Sequence, residues 1–453
     1  MAGDMKPWDI AIVGAGAAGL AAAVFASAAA TEEGVRLRVV LVDGARRPGA
    51  KILVSGGGRC NVTNEHVTPE DFEGGSRAII RKVLRGFDEQ RARDWFASLG
   101  VKLKAEPHGK LFPEDDKARS VLDALLGAVH GAGVEAWFGR RVTGIEVVEG
   151  EGDESAQFRL KVARSGGSSA SEADEAKRDG SEPEESLLAR RVILAAGGMA
   201  LPKSGSDGAA FGWLRTMGHR VIAPVPSLAP LVLAESRAPG GRLRELAGVT
   251  LDLRLDLRDA DGRLVASQTG STLFTHFGLS GPAPMNLSRH LARARNDTPT
   301  IAPLLRVTLG HPSWPDTAAA ERMLVAEARR TPSRRVSALL GDWYPERLAR
   351  LLGDDLGTLG GLTREARREA AVRLAALPVD VSGDRGFAFA ETTAGGVDLR
   401  EVDARTMESR VVPGLHLCGE LLDADGRIGG FNFQWAWATG YLAGRGAARL
   451  GGG

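Results

Sequence analysis

The sequence is poor in groups that would bind a metal or form disulfides. Two cysteines, Cys60 and Cys418, stand in 453 residues. They form no disulfide framework and no CxxC pair, so neither a stapled secreted scaffold nor a zinc site follows from them. The eight histidines are scattered, with no HxH or HExxH spacing, and no metal site is predicted. Charge of one sign is also lacking: the formal net charge is +1, which argues against a surface dedicated to nucleic acid or to an anionic membrane. One long uncharged run exists, Ile10–Ala30, but it carries three glycines within six residues. Lys6 ahead of it is offset by Asp4 and Asp9, so a signal peptide or membrane span is rejected. A cytoplasmic protein with no membrane partner is expected.

Glycine is plentiful, at 59 residues, and it is clustered. The apolar run Ile10–Val13 reads as a buried parallel strand and Leu37–Val42 as a second. Between them Gly14-Ala15-Gly16-Ala17-Ala18-Gly19 opens an Ala-rich helix, and Asp43 follows the second strand. This is the GxGxxG dinucleotide fingerprint in its strand–turn–helix–strand–acid context. Gly14 permits the turn, Gly16 admits a pyrophosphate to the backbone, and Gly19 lets helix and strand pack. The N–H groups of the first turn, Ala17 and Ala18 included, face the phosphates. Asp43 accepts from ribose hydroxyls; the residues between 31 and 35 account for its slightly long spacing.

Further along, Lys51-Ile52-Leu53-Val54-Ser55-Gly56-Gly57-Gly58-Arg59-Cys60-Asn61 reads as a cofactor-contacting loop, with glycines exposing N–H groups and Arg59 adding a cation. Residues 79–100 read as one amphipathic helix. Residues 190–198, RRVILAAGG, read as a strand whose end, Ala196-Gly197-Gly198, reaches the cofactor. Residues 165–186 are Gly/Ser/Glu/Asp-rich and read as a flexible insertion. Period-two alternation from Leu251 to Leu257 and the Asp261-Gly262 turn signal indicate antiparallel strands. Residues 316–377 read as helical, and Phe387–Ala390 as a strand. Near the C-terminus a strand ends in Gly419-Glu420. Gly429-Gly430-Phe431-Asn432 then starts a helix, repeating the anion-binding arrangement of the first motif.

With these pieces in place the chain resembles the bacterial FAD-dependent oxidoreductases that have a glutathione-reductase-type nucleotide fold, described as aminoacetone-oxidase-like or bile-acid (dehydrosteroid) reductase-like. The blocks carrying the resemblance run nearly end to end. They are Gly14–Gly19, Lys51–Asn64, Gly109–Pro113, Ala195–Gly208, Phe274–Pro282, Thr392–Val397, Thr406–Ser409 and Cys418–Ala436. Cys418 and Phe431 depart from the pattern, where Ala and Tyr are usual.

The resemblance implies FAD as cofactor, with Asp43 on its ribose and Gly419-Glu420 by the ribityl and pyrophosphate. Gly429–Asn432 would meet the isoalloxazine, and Val142, in a strand-like run, joins the cofactor contacts. The expected fold class is α/β. A Rossmann-type FAD-binding domain spans 1–203 and 385–453, and into it a β-rich subdomain (204–315) and a helical subdomain (316–384) are inserted.

The expected activity is hydride transfer between flavin and a small organic substrate, with NAD(P)H or O2 as electron partner. No second GxGxxG unit exists, so NAD(P)H would bind transiently. An RNA-modifying flavoprotein and a non-catalytic flavin-binding protein are the competing classes; near-neutral charge disfavours the first. His276, in the Phe274–Pro282 block, is the candidate acid/base or orienting group, because it alone there belongs to a residue type that titrates near neutral pH. Arg59 and Asn61 would face it and steady developing negative charge.

Overall fold

The computed structural model describes residues 6–148, 157–165, 185–234, 239–297 and 306–449. The 166–184 part of the expected insertion lies outside them, while Glu185 and Ser186 begin a strand. Two compact units emerge, residues 1–224 with 392–453, and residues 225–391. The divisions thus fall at 224/225 and 391/392, where the sequence suggested 203/204 and 384/385.

The first unit is organised by a seven-stranded sheet. β1 (Trp8–Val13) lies between β2 (Val39–Asp43) and the strand Glu185–Leu194, parallel to both. Glu135–Phe138 extends the sheet beyond β2, and Leu415–Leu417 runs parallel to the end of Glu185–Leu194. Phe158–Arg164 and Arg140–Val147 complete it antiparallel. Ile10–Val13 of β1 and Val39–Val42 of β2 are apolar and buried, as the inner strands of a parallel sheet require.

Helix α1 (Ala17–Glu32) explains the long uncharged run. It packs against the C-terminal helix Phe431–Ala448, and small residues bring the two backbones together. A Cβ on Gly440 would lie 2.5 Å from the Ala18 carbonyl oxygen, and one on Gly444 2.5 Å from that of Ala22. The run is a buried strand, turn and helix. Among the described residues no helix is long and apolar enough to cross a membrane.

Two local expectations fail. The helix read across 79–100 is two, α3 at Arg77–Gly86 and a second at Glu89–Ser98. Asp88 caps the second by accepting from Arg91 N at 2.9 Å, and a cap residue starts a new helix rather than continuing one. Phe387–Ala390 is a turn, not a strand.

The second unit holds an antiparallel seven-stranded sheet in the order Leu377–Val379, Arg306–Gly310, Thr250–Arg258, Leu264–Phe274, Gly278–Ser280, Leu231–Leu233, Val381–Asp384. The alternation read at 251–257 buries Leu253, Leu255 and Leu257. They share one core with Leu324, Leu339, Leu348 and Leu374 from the helical stretch, so strands and helices form a single unit rather than two subdomains.

Candidate functional site

Strand register builds the site. Val13 pairs with Val42 and Leu194, and Leu194 with Leu417. The turns that follow these parallel strands therefore share one edge of the sheet, the carboxyl edge where such folds bind ligands. Those turns carry Gly14–Gly19, Asp43, Ala195–Gly198 and Cys418–Glu420.

The three fingerprint glycines differ. A Cβ on Gly14, at φ +102°, would lie 2.4 Å from the Ala195 oxygen, and one on Gly19 1.8 Å from the Gly14 oxygen. Both are glycine so that backbones can touch. Around a Cβ on Gly16 there is nothing within 4 Å. Gly16 caps α1 without a side-chain hydrogen bond, leaving first-turn N–H groups aimed into that open space. Asp43 borders it. Its Oδ2 accepts from Ala15 N at 2.6 Å and its Oδ1 from Ala45 N at 2.7 Å. Burial raises its pKa above the usual carboxylate range, against the pull of those two N–H donors. A carboxylate has about four acceptor positions, so two remain for ribose hydroxyls. A phosphate-sized opening, free N–H groups and a half-used carboxylate fit the adenosine-diphosphate half of FAD.

Glu420 organises the neighbouring turn. It forms an ion pair with Lys51, and its Oε1 accepts from Thr393 N at 3.0 Å and Thr393 Oγ1 at 2.7 Å. Thr393 Oγ1 in turn accepts from Met199 N at 2.8 Å and Ala200 N at 3.1 Å. A Cβ on Gly198 would stand 2.4 Å from that hydroxyl, and one on Gly197 2.7 Å from Ser206 Oγ. Ala196–Gly198 are therefore held against this network. Gly419 lies against α1: its Cβ would come within 2.9 Å of Ala18 Cβ, and its N–H donates to Thr439 Oγ1 at 2.9 Å. Thr393 is absent from the predicted site residues, although its Thr-Thr-Ala-Gly-Gly stretch offered a signal.

The glycine loop is partly helical. α2 (Ala50–Gly58) breaks at Ser55, Gly56 and Gly57, the two glycines being left-handed. Space around Gly57 is open, whereas a Cβ on Gly56 would lie 2.9 Å from the Phe112 ring. Arg59 is not a free cation. It donates to Glu106 at 2.6 Å, pairs with Asp116 at 3.5 Å and covers the Phe112 ring at 4.1 Å. It pins the loop to the strand beneath.

Cys60 and Cys418 are buried and free. Burial pushes the Cys60 thiol up to about 12 and the Cys418 thiol higher still, so both stay protonated and neither is a ready nucleophile. Asn61 is nine-tenths buried, and its Oδ1 has no hydrogen-bond partner among the described residues. Opposite it sits Gly430, whose Cβ would lie 2.9 Å from that oxygen and 2.4 Å from the Thr63 carbonyl oxygen.

Other predicted contacts face inward. Asn64 Nδ2 donates to the Gly429 carbonyl at 3.0 Å, and Asn432 exchanges two hydrogen bonds with the backbone of Gly426. Phe431 is fully buried beneath Arg427 and edge-on to Phe72. Val142 is a core residue paired with Val162. These side chains shape the wall rather than line an opening.

A Ser–His–acid line in this unit is structural. His219 meets Glu401 and Ser409 at 2.9 Å each, but Ser409 Oγ already accepts from Val411 N and Val412 N, and both His219 and Ser409 are buried.

His276 lies in the second unit, and Arg59 and Asn61 in the first. It is exposed at a turn closed by Thr275 N donating to the Gly278 oxygen at 2.7 Å. Its carbonyl accepts from Arg244 Nε at 2.6 Å, and its ring meets Phe277 edge-on. Phe277 and Phe389 sandwich the Arg385 guanidinium, at 4.5 Å and 3.3 Å.

Comparison with known proteins agrees with this geometry. Residues 8–446 match the family model described as "HI0933-like protein Rossmann domain". The chain is 31% identical over 446 residues to the 3-dehydro-bile acid delta(4,6)-reductase of Clostridium scindens, covering 97% of this chain and 98% of the relative. It is 29% identical over 448 residues to the ribosomal RNA dihydrouridine synthase of Escherichia coli, covering 96% of each. Among solved structures, the 3-ketosteroid delta1-dehydrogenase of Sterolibacterium denitrificans aligns at TM-score 0.47 and 15% identity, over 98% of this chain and 100% of that one. The chain belongs to the HI0933-like family and is an FAD-dependent oxidoreductase.

Proposed function

We propose that this enzyme reduces a carbon–carbon double bond conjugated to a carbonyl. One observation carries the reading. Two relatives, each aligned over nearly the whole chain, are named for such a reduction, one on a 3-oxo bile acid and one on the uracil ring of uridine. In such a reduction one carbon of the conjugated system gains a hydride and another gains a proton. The amine-oxidase alternative has no such support.

FAD, when bound, supplies the hydride chemistry; the chain supplies position and proton control. Gly16 and the first turn of α1 hold the pyrophosphate, Asp43 the ribose, and the Lys51–Glu420–Thr393 network fixes the turn beside them. NAD(P)H is the reductant in this reading, so the balanced change is substrate plus NAD(P)H plus a proton, giving saturated product and NAD(P)+. His276 is the candidate proton donor, because it is exposed and carries an exchangeable ring N–H.

Anaerobic incubation with NADPH or NADH and a 3-oxo-Δ4 steroid, or a uridine-bearing RNA, tests this. A product two hydrogens heavier is expected from at least one. Flavin that is reduced by amines and reoxidised only by oxygen would refute it. The His276→Ala variant should keep FAD and slow substrate-linked turnover roughly a hundredfold, the usual size of an acid/base contribution.

A further inference from the structure

We propose that a basic groove on the first unit is a docking site for the phosphate backbone of RNA. The groove has a volume of about 760 Å³ and is walled by α3 on one side and residues 400–410 on the other. Five cations line it, Lys82, Arg85, Arg400, Arg405 and Arg410, against one carboxylate, Asp403. α3 carries four cations and no carboxylate; Ile80, Val83 and Leu84 turn inward.

Counter-charge is incomplete. Asp403 sits between Arg405 at 3.4 Å and Arg410 at 3.8 Å, so one carboxylate faces two guanidinium groups. Asp398, behind the wall, takes Arg400 at 2.5 Å and Arg220 at 3.8 Å. Glu401 is held by His219 and Arg220 N. Arg81 on α3 pairs with Glu70 at 3.9 Å, whereas Lys82 and Arg85 join no ion pair among the described residues. Arg85 also complements the C-terminal end of α3, but that accounts for one cation of five.

The distribution selects the ligand. A single phosphate is held by convergent, buried donors, whereas the side chains of Arg400, Arg405 and Arg410 are 66%, 85% and 58% exposed. Cations spread on two rims neutralise successive phosphates of a strand. Between the rims Ile79, Val402 and Leu442 give an apolar floor suited to sugars and bases, which a flat bilayer would not reach. A uridine must leave its stack before its ring can be reduced, so single-stranded or looped RNA is the form expected. The groove deepens the uridine side of the function proposed above and rests on it for the reaction, though not for binding.

The test is fluorescence anisotropy of the FAD-loaded full chain with a labelled, uridine-bearing RNA hairpin across a salt series. Neutralising roughly four phosphates should give a slope of log Kd against log salt of about 3. Lys82→Glu/Arg85→Glu should weaken binding at least about tenfold and lower the slope by about one or more. Arg405→Glu/Arg410→Glu, on the opposite rim, should do the same, with flavin content reporting that each variant is folded. No RNA binding by the wild type, or unchanged binding in both variants, would overturn the proposal. So would loss of NADPH or anionic-vesicle binding, in place of RNA binding, in those variants. RNA bound through these cations without reduction of any conjugated double bond would leave the groove standing and refute the proposed reaction instead.

Discussion

Among the helices of the first unit that begin on glycines without a side-chain cap, α1 and the C-terminal helix use them in opposite ways. Gly16 starts α1 with φ −81°, a backbone any residue adopts, and its missing side chain leaves open space. Gly430 starts the C-terminal helix at φ +93°, and its missing side chain is filled by the Thr63 carbonyl and Asn61. Both helix ends present N–H groups and the same partial positive charge. Only the first has room for the phosphates of a ligand. A glycine at a helix start thus marks either an approach path or a packing contact, and space decides which.

Substitution should separate the two roles. Gly430→Ala combines a backbone clash with a left-handed φ and should cost about 3 kcal/mol of stability, read as a lower urea midpoint. Gly16→Leu should cost under about 1 kcal/mol of stability. Its FAD affinity should fall at least a hundredfold, about 2.7 kcal/mol, measured by flavin titration of the stripped protein. If Gly16→Leu instead lowers the urea midpoint as much as Gly430→Ala while FAD affinity is unchanged, the comparison fails.

Acid should strain the packed side as well. His416, buried beside Glu408 and Arg191, has its pKa lowered to about 4, chiefly by burial, with a hydrogen bond to the Thr406 carbonyl opposing. The unfolded chain binds this proton from about pH 6.5 downward and the folded chain only near 4, so stability should fall as pH drops through that window. Urea midpoints between pH 7 and 4 check the direction; a flat profile would contradict it. The smallest effect is expected at the open side. Lys51→Met leaves Glu420 half-buried without its cation and should cost about 1 kcal/mol of stability, read in the same midpoints.

What could be read in advance follows from distance along the chain. Gly14–Asp43 is a local unit whose turn, helix start and acid are each fixed by neighbours, so its fold and a dinucleotide ligand were legible. FAD in particular came from the resemblance carried by blocks along the whole chain. The Lys51–Glu420 pair joins residues far apart in sequence, and the role of Thr393 appears only when three turns meet. Arg59 looked free because its partners Glu106 and Asp116 lie on other segments. A net charge of +1 averages out five cations that α3 and residues 400–410 bring to one groove. Local rules also misplaced a boundary: apolar periodicity ran through Gly86–Asp88 even though Asp88 was there to cap a new helix.

The oxidative half-reaction tests the central claim most directly. The holoenzyme, reduced anaerobically with NADPH or NADH, is mixed with the 3-oxo-Δ4 steroid or the uridine-bearing RNA while flavin absorbance is followed. The account predicts that the oxidised flavin spectrum returns without oxygen, in step with saturation of the substrate double bond. Flavin that stays reduced with both substrates and reoxidises only when oxygen is admitted would contradict it.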